Sequence, residues 1–241
     1  MTVKEMMTPL QLFDILLTTF GPQHWWPGDT PFEVAVGAVL AQNTSWSNVE
    51  KAITSLKATN TITATSLLAL SASDLEQAIR PAGYYRVKAR YLRTLAEWVS
   101  QRATGDLSSL VSEDTDALRS EILALRGVGR ETADSILLYA IGKPAFVVDA
   151  YTRRIAARLR LLPDNATYES TQQYFVARLP EDAHLFNEFH GLLVHLAKEH
   201  CRARPVCLAC PLEQCCPSTD ASLATRHVVR VRTMPERRTT P

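Results

Sequence analysis

Asp149 is the only carboxylate between Asp134 and Asp164, in a stretch that is otherwise apolar or basic. A carboxylate placed this way can stabilise positive charge that builds in a transition state, and it can orient or deprotonate an attacking water. The same residue can simply cap the helix that the pattern starts at Ala150. Upstream, Gly127-Val128-Gly129 precedes Arg130 between two helix-like runs. Paired glycines let the backbone turn tightly and approach a partner, and the N–H groups opening the next helix sit at the positive end of its dipole. That combination binds phosphate; it is also an ordinary helix–helix turn. Downstream come Cys201, Cys207, Cys210 and Cys216, with Cys215 beside the last. Compact four-cysteine spacing suits either a [4Fe–4S] cluster or a structural zinc. With no secretory context, a disulfide framework is not expected. His190, His195 and His200 recur every five residues, which spreads them around a helix instead of gathering them into a ligand set.

Helices must position these groups. Apolar periodicity predicts helices over 10–20, 32–41, 47–57, 84–102, 114–125, 130–141, 149–161, 168–179 and 182–200. Pro31 stands at a first helical position, where its missing N–H costs nothing. Ser73 and Glu76 have the spacing of a capping box, predicting a helix from there to Arg80. Among these elements, Trp25, Trp26 and Pro27 form an aromatic turn, and Trp46 follows the second helix. No alternating stretch is long enough for a strand, so the fold class is all-α, short helices packed in layers.

Composition limits the partners. Lysine and arginine number 26 against 25 acidic residues, a net charge of +1. Five of those arginines lie in the segment 217–241, a basic tail expected to carry no packed structure, either suited to a weak electrostatic contact with a polyanion or simply solvated with no role. The remainder is slightly acidic, so any polyanion must be held by a placed patch, not a global field. No run approaches the roughly 20 apolar residues of a membrane span. The opening residues read as an amphipathic helix, with no targeting signal. The expected location is cytoplasmic, associated with the nucleoid, and the expected state is a monomer.

The glycine turn with Leu125, the run Thr132-Ala133-Asp134, the loop Gly142-Lys143-Pro144 and the downstream Val147-Val148-Asp149 resemble the helix-hairpin-helix DNA glycosylases of the endonuclease III superfamily. Trp25-Trp26-Pro27, Phe32-Glu33, residues 37–44, residues 80–85 and Phe189-His190-Gly191 look most like its endonuclease III-like 3-methyladenine DNA glycosylase branch. The resemblance implies that Gly127, Val128, Gly129 and Arg130 grip the DNA backbone and that Asp149 acts as the catalytic carboxylate. It places Trp26, Pro27 and Trp46 at base-stacking positions, with Trp25 beside them. Glu131 and Lys198 fall at further pocket positions, and Gln42 matches the residue that fills the stack when a base is flipped out. For Trp25, Trp26 and Trp46 the alternative is plain core packing; for Gln42 it is capping the second helix together with Asn43.

The departure from the wider family is Glu131. Bifunctional members carry a lysine there, whose amine attacks the sugar and forms a Schiff base. A carboxylate cannot, so the sequence points to a monofunctional glycosylase that removes an alkylated purine such as 3-methyladenine and leaves the backbone intact. Lys143 and Lys198 are the alternative amines. The resemblance further implies a [4Fe–4S] cluster on Cys201, Cys207, Cys210 and Cys216, with structural zinc as the alternative. The first cysteine gap is one residue shorter than in endonuclease III-type proteins, and the alkyl-base branch usually lacks the cluster. Two helical lobes flanking a DNA-binding groove are expected. Residues 31–143 would form a six-helix, barrel-like lobe with the hairpin; residues 1–30 and 144–216 would form the other, with the cluster loop. A bifunctional oxidised-pyrimidine glycosylase/AP lyase and a non-catalytic DNA-binding module remain the rival readings.

Overall fold

The computed structural model describes residues 7–59 and 62–219; the basic tail from residue 220 onward lies outside them. The described residues are all-helical, with no strand among them. The chain forms two compact units. One, the hairpin unit, comprises His24–Val147 with Pro180–His190. The other, the cysteine unit, comprises Met1–Gln23, Val148–Leu179 and Gly191–Pro241.

In the cysteine unit, α1 (Pro9–Phe20) opens with a capping box in which Thr8 and Gln11 satisfy each other's backbone N–H groups. The hairpin unit is built around α2 (Pro31–Leu40). Thr30 caps it, Pro31 occupies the first turn, and every residue from Phe32 to Leu40 is buried. A helix apolar on all sides belongs in the middle of a core, and each large side chain so buried contributes about 1.5–3 kcal/mol relative to exposure. Against it pack α3 (Trp46–Thr59) and the long α6 (Tyr85–Arg102), while α4 (Ala64–Ala69) and α5 (Ala72–Ala78) pack on α6. The cap of α5 is Ser71, whose hydroxyl accepts from the Asp74 N–H at 3.1 Å, and not Ser73. The helix ends at Ala78, and Arg80–Ala82 forms a separate 3-10 turn. Helix α4 gave no periodic signal, being only six residues long.

The ammonium of Lys88 closes the end of α2 from inside the core. Its Nζ donates to the carbonyls of Leu40 at 2.9 Å and Ala82 at 2.8 Å, with the residue only 2% exposed. Burial pushes this amine below its ordinary value.

Helix α7 (Thr115–Ala124), capped by Asp114, leads into the glycine turn and α8 (Arg130–Ser135). The two arms are stapled by Arg119, whose Nε and Nη2 bind the fully buried Asp134 carboxylate at 2.6 and 3.0 Å. Beyond Ser135 the regular helix expected to run to Ile141 widens into a π-helical turn, Ile136–Ile141, which ends at Gly142 with φ of 85°.

The cysteine unit continues with α9 (Ala150–Arg158) and α10 (Tyr168–Val176). Helix α11 (Ala183–Glu199) begins in the hairpin unit and belongs to the cysteine unit from Gly191 on. The loop 201–219 is pinned to α9 by arginine. Arg154 Nε donates to the Cys201 carbonyl at 2.8 Å, and Arg158 donates to the carbonyls of Arg202 at 2.6 Å and Ala203 at 3.0 Å.

Candidate active site

The candidate residues divide between the units. Trp25, Trp26, Pro27, Gln42, Trp46, Gly127, Val128, Gly129, Arg130 and Glu131 lie in the hairpin unit. Asp149, Lys198 and the cysteines lie in the cysteine unit.

The glycine turn distinguishes its two glycines. Gly127 has φ of 86°, a left-handed conformation, and a Cβ there would sit 2.3 Å from the Tyr91 ring. It is glycine for the sake of the fold. Gly129 begins α8 with extended backbone and no side-chain cap, and a Cβ added to it would meet nothing within 4 Å. Val128 between them is buried in the core, while Arg130 and Glu131 are exposed. Gln42 reaches this turn from the loop after α2. Its Nε2 donates to the Gly127 carbonyl at 2.9 Å and to Thr132 Oγ1 at 3.0 Å. Gln42 thus ties two segments together and does not cap α2, whose last turn is closed by the Ala41 N–H.

The three tryptophans do come together. Trp26 lies 4.9 Å from Trp46 and 5.5 Å from Trp25 between ring centroids, at interplanar angles of 89° and 73°. These are edge-to-face contacts, so the rings do not stand parallel as two sides of one sandwich. All three are half-buried, and Pro27 is exposed. Trp26 and Trp46 pack against the apolar core, so the packing role and the wall-forming role coexist. A fourth ring, Tyr139, lies 5.1 Å from Trp26 at 32°, and its hydroxyl is hydrogen-bonded to His190 Nδ1 at 2.5 Å. Sequence reading overlooked Tyr139, because the helical period that placed it in a continuous α8 is broken by the π-helical turn. Lys57 holds the end of the aromatic turn, bonding Asp29 and Glu33, each at 2.7 Å; Asp29 first and Glu33 second raise its amine above the ordinary value.

In the cysteine unit, Asp149 is the N-cap of α9. Its Oδ1 accepts from the Thr152 N–H at 2.7 Å and from the Thr152 hydroxyl at 2.9 Å. A half-buried carboxylate anchored at Oδ1 keeps a fixed orientation. Lys198 is exposed in the last turn of α11. Lys143, in the hairpin unit, is buried and donates to the Glu113 carbonyl.

None of the five cysteines is in a disulfide. The thiol of Cys210 is pushed up to about 11, first by burial and also by the neighbouring sulfurs of Cys201, Cys207 and Cys216. Among the described residues, however, no three of His, Cys, Asp or Glu are gathered so as to hold a single metal ion.

An all-helical chain with a glycine-looped helical hairpin, an aromatic cluster beside it and a helix-capping aspartate shortly after has the features of a DNA-repair enzyme. Known proteins agree. The HhH-GPD superfamily of base excision DNA repair proteins matches residues 36–181. A candidate DNA repair glycosylase of Methanocaldococcus jannaschii is 41% identical over 210 residues, covering 86% of this chain and 95% of its own. A non-covalent endonuclease III–DNA complex superposes with a TM-score of 0.77 at 26% identity, covering 91% of this chain and all of the other. The Helicobacter pylori 3-methyladenine DNA glycosylase bound to 1,N6-ethenoadenine gives a TM-score of 0.69 at 27% identity, covering 80% and 98%. The chain belongs to the HhH-GPD superfamily. It is a base excision DNA glycosylase with the endonuclease III fold, which sets aside the reading as a non-catalytic binding module. No helix among the described residues is long and apolar enough to cross a membrane.

Proposed function

We propose that the enzyme hydrolyses the N-glycosidic bond of an alkylated purine, such as 3-methyladenine, and stops at the abasic site. The observation that carries this reading is the cluster of Trp25, Trp26, Trp46 and Tyr139 beside the hairpin. An N3-alkylated purine is cationic, and electron-rich rings favour a desolvated cation by about 2 kcal/mol. The likeness to a 3-methyladenine glycosylase that holds 1,N6-ethenoadenine supports the same substrate class.

In the proposed reaction, Gly127, Val128, Gly129 and Arg130 grip the DNA backbone, and Gln42 fills the space left by the flipped base. The base stacks on the aromatic wall beside Pro27 and Glu131, and Lys198 is the further pocket residue that the family resemblance assigns. The C1′–N bond breaks with its electron pair going to the base, which leaves neutral because it entered as a cation. Asp149 stabilises the positive charge on the sugar. Water then bonds to C1′ and gives up a proton to Asp149. With Glu131 where a lyase carries its lysine, and Lys143 buried on the Glu113 carbonyl, the hairpin offers no amine for a Schiff base.

The test is base release from methylated and from oxidised-pyrimidine duplexes, with borohydride trapping on abasic DNA. Free 3-methyladenine with no covalent adduct supports the proposal. Efficient trapping and strand nicking on oxidised-pyrimidine DNA would replace it with a bifunctional endonuclease III-type activity.

The cofactor proposed is a [4Fe–4S] cluster on Cys201, Cys207, Cys210 and Cys216. These cysteines stand in a compact spacing close to the one that endonuclease III-type proteins use for such a cluster, and all four lie in the same cysteine unit. Cys216 is assigned as the fourth ligand, with the adjacent Cys215 as its competitor. When bound, the cluster would tie the loop of Arg202 and Arg204 into a fixed shape. A brown preparation containing four iron atoms per chain is expected. Cys216→Ser should bleach it and Cys215→Ser should not; a colourless protein holding one zinc would reject the cluster.

A further inference from the structure

We propose that Glu188 and His190, two buried residues of α11, are positioning residues that fix the aromatic wall of the base pocket from behind. The inference rests on the base-pocket reading of the tryptophans. His190 is 5% exposed and Glu188 is 7% exposed, so both polar groups sit where water cannot satisfy them. Each is joined to a residue that leads directly into the wall. His190 Nδ1 is 2.5 Å from the Tyr139 hydroxyl, and Tyr139 in turn lies 5.1 Å from Trp26, tilted by 32°. Glu188 Oε1 accepts the backbone N–H of His24 at 3.0 Å, immediately before Trp25 and Trp26.

Two features set these contacts apart from incidental satisfaction of buried polar groups. His24 holds φ at 49°, an uncommon conformation for a residue with a Cβ. The Glu188 carboxyl oxygen that accepts its N–H fixes the chain where it enters the tryptophan pair. Tyr139 lies in the π-helical turn Ile136–Ile141, a departure from α-geometry that is rare and frequently marks functional sites. The extra residue in that turn shifts the ring's direction from what a regular helix would give. The His190 bond holds the hydroxyl end of that ring. Trp26 therefore has its backbone approach set by Glu188 and one of its faces backed by the Tyr139 ring.

Single-turnover base release and KM should be measured on methylated duplex for Tyr139→Phe, Glu188→Ala, Glu188→Gln and Trp26→Ala. Affinity for undamaged duplex and thermal melting should be followed alongside. Tyr139→Phe keeps the ring and loses the tether; Glu188→Ala loses the acceptor, and Glu188→Gln retains one. The proposal expects Tyr139→Phe and Glu188→Ala to raise KM about tenfold, the scale of a small misplacement of a binding group. It expects kcat to change less than KM, undamaged-DNA affinity to stay constant, and Glu188→Gln to restore KM. Unchanged KM in folded Tyr139→Phe and Glu188→Ala, while Trp26→Ala loses binding, overturns the brace and leaves the pocket standing. If Trp26→Ala also binds normally, the pocket reading falls, and the brace with it. Should Glu188→Ala fail to fold, Tyr139→Phe, which removes one oxygen, carries the test alone.

Discussion

Helices α8 and α9 start in opposite ways. Helix α8 opens at Gly129 with no side-chain cap, and the space where a Cβ would stand is empty. Helix α9 opens at Asp149, whose carboxylate is tied to the backbone and hydroxyl of Thr152. A helix start left without its own cap suits an anion brought from outside, which in the proposed function is a DNA phosphate. A start closed by its own carboxylate repels an anion and suits developing positive charge. Under the proposed function, two ends of similar backbone polarity would serve opposite charges, and one missing or present side chain would make the difference.

The largest effect expected from this contrast is on chemistry. Asp149→Asn keeps a good N-cap, since asparagine and aspartate cap comparably, but removes the charge. Base release in single turnover should fall by roughly 10²- to 10³-fold, while the melting temperature stays within a few degrees. A variant that melts early and loses activity in proportion would mean that Asp149 is chiefly a cap.

The two glycines of the turn should separate next. Gly127→Ala drives a Cβ into Tyr91 and strains φ at 86°, so denaturant unfolding should show a loss of about 2–4 kcal/mol. Gly129→Ala meets no protein atom and should leave stability within about 0.5 kcal/mol. Its cost should appear in affinity for undamaged duplex, where the added methyl occupies space a phosphate needs. Equal affinities for wild type and Gly129→Ala would show that the DNA backbone does not approach there.

The longer helices were readable from the sequence because their apolar stripes repeat often enough to define a face. Helices α1, α6, α9 and α11 fall close to where periodicity puts them. Short elements were not. Ser71 and Ser73 each stand three residues before an acid, Asp74 and Glu76, and sequence gives no way to choose between overlapping caps; packing selected Ser71. The π-helical turn was invisible too, because its residues are as apolar as those of the helix it replaces. Tyr139, on that turn, was lost with it. Among candidate site residues, types announced themselves and contacts did not. Gln42 was noticeable as a polar residue after a buried helix, yet its two bonds to the hairpin span 85 and 90 positions. Long-range pairings of this kind leave no local pattern.

A third helix end sharpens the comparison with the smallest expected effect. The end of α2 is closed by Lys88, whose ammonium donates to Leu40 and Ala82. This cap has no proposed part in catalysis, so it should be visible in stability alone. Burial lowers the amine below its unfolded value of 10.5. Between the lowered folded value and 10.5, the unfolded chain binds more protons than the folded one, so stability rises with pH across that window. The cost of burying the charge is fully present below the folded value and gone above 10.5. Lys88→Met has no proton to lose. Wild-type stability relative to Lys88→Met should therefore climb as pH is raised from neutrality toward 10.5, measured by urea unfolding at fixed ionic strength. Parallel curves for the two proteins would mean that Lys88 titrates alike in both states and is less confined by the core than its contacts indicate.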